Sequence, residues 1–181
     1  MILGSAMRRL ILFRHAKSDW SSEGVEDKDR PLNGRGRRVA GPMGAWLVGR
    51  GYRPDIVLCS TAKRARSTWE LARVALTPAP KAQYDDELYM ASASILLDKV
   101  KGVPAETQSV MIVGHNPGLE DFVKLVAPRG DPEARRALAE KFPTAAIAVV
   151  DFPFDDWSLA KAGAGALDRF VTPKALGIGE A

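Results

Sequence analysis

"LILFRHAKSDW", residues 10–20, decides how the chain is read. An apolar run ends at Phe13, meets Arg14 and His15, and turns abruptly polar. Four consecutive apolar residues of this kind suit a strand buried on both faces. The arrangement recurs in "SVMIVGHNPG", residues 109–118, where a second apolar run ends at His115. The chain has only two histidines, and these are both of them. Two rare side chains in matching contexts predict one shared site.

Working outward, "DIVLC", residues 55–59, is another candidate buried strand, and "STAKRARSTWE" follows it with Arg64 and Arg66. Ser60 is the expected cap of a helix running to about Ala75. Val39, Met43, Trp46 and Leu47 recur at helical spacing and predict a helix over 35–49, with Asn33 as its N-cap and Gly51 as its stop. Further helices are expected over 92–101 and 119–126, and a loop with a short helix in "RGDPEARRALAEKF", residues 129–142. "TPAPKAQ", residues 77–83, breaks the pattern. Late strands are expected over 144–152 and 157–161, as a hairpin around "PFDD".

Strands alternating with helices argue an α/β fold with a mostly parallel sheet. Such sheets bind ligands beyond the carboxyl ends of their strands. Three ends stand out, after Phe13, after Cys59 and after Val113. The histidines take two of them and an arginine cluster takes the third.

Composition bounds the rest. A chain of 181 residues fits one domain, over 7–181 if Met7 is the start, with 1–6 as a disordered extension. No apolar run approaches the roughly 20 residues that span a bilayer, and the N-terminal apolar stretch is too short for a signal peptide. The single cysteine, Cys59, excludes an internal disulfide framework and fits a reducing cytoplasm. A net charge of +4 and a pI of 9.3 suit either a nucleic-acid surface or a pocket for an acidic substrate. Aromatic residues do not interleave with basic ones, so nucleic acid is not expected as a partner.

Histidine and arginine at three strand ends make an electropositive pocket. Arginine grips phosphate with a planar fork and keeps its proton. Imidazole can attack phosphorus and carry the phosphoryl group, which divides one hard displacement into two easier ones. Metal is the competing chemistry. The histidines are 100 positions apart, Cys59 is isolated, and no H-x-H or H-E-x-x-H pattern occurs, so no metal and no other cofactor is expected. No G-x-S-x-G elbow supports a serine hydrolase. From the residues alone, either arginine could instead be a solvated helix residue.

"FRHAKS", "CSTAKRARSTWE" and "VGHNP", in this order, resemble the histidine phosphatase superfamily of phosphoglycerate mutase-like fold. "RHAKSDW", the following "DRPLNGRGRR" and the short chain resemble its SixA-like phosphohistidine phosphatase branch. The resemblance runs from about Leu10 to Pro173. It implies a three-layer α/β/α sandwich with a mostly parallel central sheet. It also implies a metal-independent phosphatase that works through a phosphohistidine intermediate.

By the resemblance, His15 is the nucleophile, Arg14 the first phosphate clamp and His115 the second histidine on the phosphoryl group. The S-x-x-x-R-A-x-x-T pattern selects Arg64, not Arg66, as the second clamp. Backbone around Asn116 closes the phosphate pocket. Ala16 stands where larger members have glycine. Their acidic proton donor lies in a longer insertion, and in the short "YDDELYMAS" here Glu87 is the best candidate by position, with Asp86 next. A small insertion leaves the site open to a protein. The expected substrate is phosphohistidine on a signalling or phosphotransfer protein. Small phosphomonoesters are the alternative, and a non-catalytic phosphate-binding adaptor is the reading from another class. No membrane is expected as a partner, and a monomer is favoured.

Overall fold

The structure is a computed structural model and describes residues 7–179. The expected extension 1–6 lies outside the described residues. The apolar runs form the middle of one seven-stranded sheet: β1 (Arg8–Arg14), β2 (Ile56–Ser60), β3 (Lys81–Asp85), β4 (Ser109–Gly114), β5 (Arg129–Gly130), β6 (Ile147–Phe152) and β7 (Ala166–Val171). Their order across the sheet is β3-β2-β4-β1-β6-β7-β5. Pairing is parallel from β3 through β1 and antiparallel from β1 to β6 to β7. β5 joins the far edge in parallel.

Among the described residues, five helices cover both faces: α1 (Gly34–Gly49), α2 (Lys63–Ala72), α3 (Ala93–Lys101), α4 (Gly118–Val126) and α5 (Pro132–Glu140). Strand residues alternate between two cores, as the pleat requires. Ile11, Phe13, Val57 and Cys59 pack against α1 and α2, while Leu10, Leu12, Val110 and Ile112 pack against α3, α4 and α5. The result is the expected three-layer sandwich. No described helix is long and apolar enough to cross a membrane.

Local signals explain the helix boundaries. The Asn33 side chain accepts a bond from the Gly36 amide at 2.8 Å and caps α1. Gly51 ends the turn after α1 at φ 76°, a conformation glycine reaches without strain. Three expectations are corrected. Ser60 does not cap α2, whose N-cap is Ala62: Ser60 is the last residue of β2, and its hydroxyl accepts from the Ala62 amide at 3.2 Å and meets His115. Residues 157–159 form a 3-10 turn, with the indole N–H of Trp157 donating to the Thr107 carbonyl, and the partner of β6 is β7 instead. The interruption over 77–83 ends in an edge strand, β3, whose largely exposed residues carry little apolar signal.

Candidate active site

β1 and β4 are neighbours in parallel register, with Arg14 opposite Gly114. Both strands therefore deliver the next residue, His15 and His115, to the same place. Their ring centroids lie 5.1 Å apart with planes tilted by 52°. Both side chains are buried, with only 7% and 3% of each residue exposed.

The hydrogen bonds of His15 fix its tautomer. Its Nδ1 lies 2.8 Å from the Ala16 carbonyl, which can only accept, so Nδ1 carries the proton. Nε2 then carries the lone pair, which accepts a long hydrogen bond from Arg64 Nε–H at 3.4 Å. Burial, with Arg64 and Arg14 nearby, pushes the imidazole pKa down to about 4. The ring is thus neutral at physiological pH. The loop that carries it is pinned by Thr68, whose hydroxyl accepts from the Ala16 amide at 2.9 Å and donates to the Arg64 carbonyl at 2.7 Å.

His115 Nε2 is 2.7 Å from the Ser60 hydroxyl. Its Nδ1 is buried without a hydrogen-bond partner. Leaving such a group unsatisfied costs about 1–3 kcal/mol, which a ligand oxygen would recover. Burial, His15 and Arg64 push this pKa down to about 3. An arriving dianion would act in the opposite direction.

Arg14 donates to the Phe142 carbonyl at 2.8 Å, and its Nε is a buried donor without a partner among the described residues. Burial lowers its pKa. Arg64, in the first turn of α2, is 3% exposed, whereas Arg66 is exposed and lies over the Tyr84 ring at 5.0 Å. Asn116 bridges two segments beside the site, donating to the Phe142 carbonyl at 3.1 Å and accepting from the Glu120 amide at 3.2 Å.

Glu87 is not brought to the histidines. It sits in the 3-10 turn Asp86–Leu88, with its side chain 72% exposed and paired to Lys99 of α3. Asp85 caps that turn and pairs with the same lysine at 2.7 Å, so α3 holds both carboxylates at the surface. Asp86 is likewise engaged elsewhere, by Lys28 at 2.6 Å and by Thr61.

Sequence reasoning missed Asp27 and Tyr89. The Asp27 carboxylate pairs with Arg64 at 3.0 Å and Arg30 at 2.5 Å and accepts from the Tyr89 hydroxyl, while its carbonyl accepts from Arg64 at 2.6 Å. Tyr89 and His115 meet with perpendicular rings, 5.4 Å between centroids. The Tyr89 hydrogen bond, followed by Arg64, holds the Asp27 carboxyl below the usual range. Asp27 stands in a polar loop with no periodicity to mark it, two residues before the "DRPLNGRGRR" stretch of residues 29–38.

A neutral histidine with an unprotonated Nε2, two arginines and a second histidine converge on one buried spot. That arrangement suits a phosphoryl group. Residues 10–89 match the family model of the histidine phosphatase superfamily, branch 1. The chain is 37% identical over 163 residues to protein Rv1276c of Mycobacterium tuberculosis, covering 89% of this chain and 99% of that one. It superimposes on the SixA-type protein of Agrobacterium tumefaciens with a TM-score of 0.77 at 34% identity, covering 92% and 98% of the two chains. The chain belongs to the histidine phosphatase superfamily, in its SixA-like branch. A structure of the protein histidine phosphatase SixA with tungstate also matches, with a TM-score of 0.75 at 25% identity over 93% of this chain and 99% of that one. The histidine phosphatase sandwich thus accounts for the sheet order and for the meeting of β1 and β4 at the site.

Proposed function

We propose that this phosphatase removes phosphate from phosphohistidine on a signalling or phosphotransfer protein in the cytoplasm, through a phosphoryl group carried on His15. The observation that carries the reading is the His15 ring, buried and neutral, with Nδ1 committed to Ala16 and the unprotonated Nε2 held only by a long 3.4 Å bond from Arg64. The Nε2 lone pair attacks phosphorus as the bond from phosphorus to the substrate imidazole breaks. That bond's electron pair leaves with the imidazole, which takes up a proton. Water then attacks phosphorus, the bond to Nε2 breaks, one proton is released, and phosphate departs. Charge on the equatorial oxygens is met by Arg14, Arg64 and His115 Nδ1. Asn116 holds the Phe142 segment against which Arg14 is braced.

The leaving group favours phosphohistidine over an alkyl phosphate. Asp27, the carboxylate paired with Arg64, has a lowered pKa that leaves it ionised at neutral pH, without a proton to give. Glu87 is tied to Lys99 and would have to leave it to act as the donor. An imidazole leaves with far less help than an alkoxide, so this site suits it better.

A substrate panel tests the reading: a phosphohistidine phosphotransfer protein, free phosphohistidine, p-nitrophenyl phosphate, a sugar phosphate and a nucleotide, all in EDTA. The expected order of kcat/KM puts the phosphoprotein first and the alkyl esters last. A preference for a sugar phosphate or nucleotide would replace the substrate assignment with a small phosphomonoester. Binding without turnover of any of them would make the protein an adaptor.

A further inference from the structure

A cavity of about 690 Å³ opens next to the phosphate site, across the end of β1. It lies where α1 and α5, on opposite faces of the sheet, reach past the start of β6 and the end of β7. Its floor is apolar, formed in part by Val39, Ala137, Ala145 and Pro173. Its rim carries Lys17, Arg35, Lys141 and Lys174 against one carboxylate, Glu140. All four cations are exposed, and none forms an ion pair among the described residues.

The cavity is continuous with the catalytic wall. Lys17 is two residues beyond His15. The Ala145 amide donates to the carbonyls of Arg14 and His15 at 3.2 and 3.0 Å. Pro143 and Thr144 line the cavity directly after Phe142, whose carbonyl braces Arg14. A large partner placing a phosphorylated side chain into the buried site from the β1–β6 side would lie over this groove.

We infer that the groove docks an acidic segment of the phosphoprotein substrate, next to the phosphorylated residue; this rests on the phosphoprotein reading above. Charge complementarity selects the occupant. Four exposed cations without ion pairs among the described residues stand against one carboxylate, Glu140, so the groove is net positive. The four charges come from separate segments, Lys17 after β1, Arg35 on α1, Lys141 after α5 and Lys174 after β7, which suits several carboxylates on a surface. The apolar floor gives the partner's intervening side chains a place to bury. Complementary charge of this kind raises association rates and makes them salt-dependent.

The test is the triple variant Arg35→Glu, Lys141→Glu, Lys174→Glu, none of which touches the phosphate site. Turnover of p-nitrophenyl phosphate by the variant reports that the fold and the chemistry are intact; if it falls, the single variants are measured instead. The probe is an acidic histidine phosphotransfer protein phosphorylated with phosphoramidate. The expected result is a loss of tenfold or more in kcat/KM on this protein, carried by KM, with p-nitrophenyl phosphate and free phosphohistidine unchanged. The wild type should also lose activity on the phosphoprotein steeply with salt, and the variant should not. Equal kcat/KM for wild type and variant on the phosphoprotein would overturn the docking assignment alone. A wild type that hydrolyses p-nitrophenyl phosphate but not the phosphoprotein would overturn it together with the substrate reading. An equal loss on a nucleoside bisphosphate would mean that the groove takes a small polyanion, and would also overturn it.

Discussion

Arg64 directs its Nε–H at His15 and two further donors at Asp27, all from the first turn of α2. Arg66 follows two residues later, about 200° further around the helix, and faces Tyr84 instead. Arg64→Ala should therefore lower kcat at least 100-fold, the scale of removing one oxyanion donor, while Arg66→Ala should stay within about threefold. Equal losses measured in steady-state assays would refute this placement. Glu87 makes the opposite point. With its carboxylate exposed and paired to Lys99, Glu87→Gln should change kcat by less than about threefold on alkyl phosphates, p-nitrophenyl phosphate and phosphohistidine alike. A loss of about 100-fold or more confined to alkyl esters would show instead that Glu87 leaves Lys99 and delivers the proton. Position in the sequence suggested Glu87, but its role depends on where α3 places Lys99, which spacing does not reveal.

The catalytic elements were legible because their signals are strong. β1, β2 and β4 are central strands buried on both faces, and each reads as an apolar run with a polar end. Asn33 and Gly51 carry unambiguous boundary chemistry for α1. The edge strand β3 was not legible, because its alternating exposed residues follow two prolines and look like a loop. β7 was missed for a different reason: "WSLAK" has as much strand character as "ALDRFV", and only the bond from the Trp157 indole to the Thr107 carbonyl decides between them. The fit of α1 against the catalytic loop is also tertiary information. A Cβ on Gly36 would lie 2.2 Å from the Lys17 carbonyl, two residues past the nucleophile. Gly36→Ala must push that loop away. It should cost about 1–3 kcal/mol in denaturant unfolding, the usual range for overpacking, and lower kcat more than Thr61→Ala does at the surface. Unchanged stability and kcat would mean that α1 does not set the loop.

For the whole molecule, the two buried histidines link folding to pH. Their folded pKa values, about 4 and about 3, lie below the roughly 6.5 of an unfolded chain. Both are depressed cations, so the unfolded state binds protons that the folded state refuses. Stability is therefore highest above pH 6.5 and falls as pH drops towards 4, by at most about 1.4 kcal/mol per pH unit for each histidine. Asp27 adds its own loss only below the unfolded carboxylate range near 4. Urea titrations at pH 7 and pH 5 should show a smaller difference for His115→Asn than for the wild type. Identical pH slopes would mean that His115 is not held neutral. The same neutrality should keep the nucleophile active below pH 6.5, once ionisation of the substrate phosphate is corrected for.

The central claim is that His15 Nε2 carries the phosphoryl group. Enzyme quenched during turnover of a phosphohistidine protein, digested at alkaline pH and read by mass spectrometry, tests it directly. One phosphate, acid-labile and alkali-stable, is expected on the peptide containing His15, and it should be absent from His15→Ala, which should also lack turnover. Phosphate on His115 or on any other residue would contradict the claim. So would His15→Ala protein that stays folded and keeps more than about a tenth of wild-type kcat/KM.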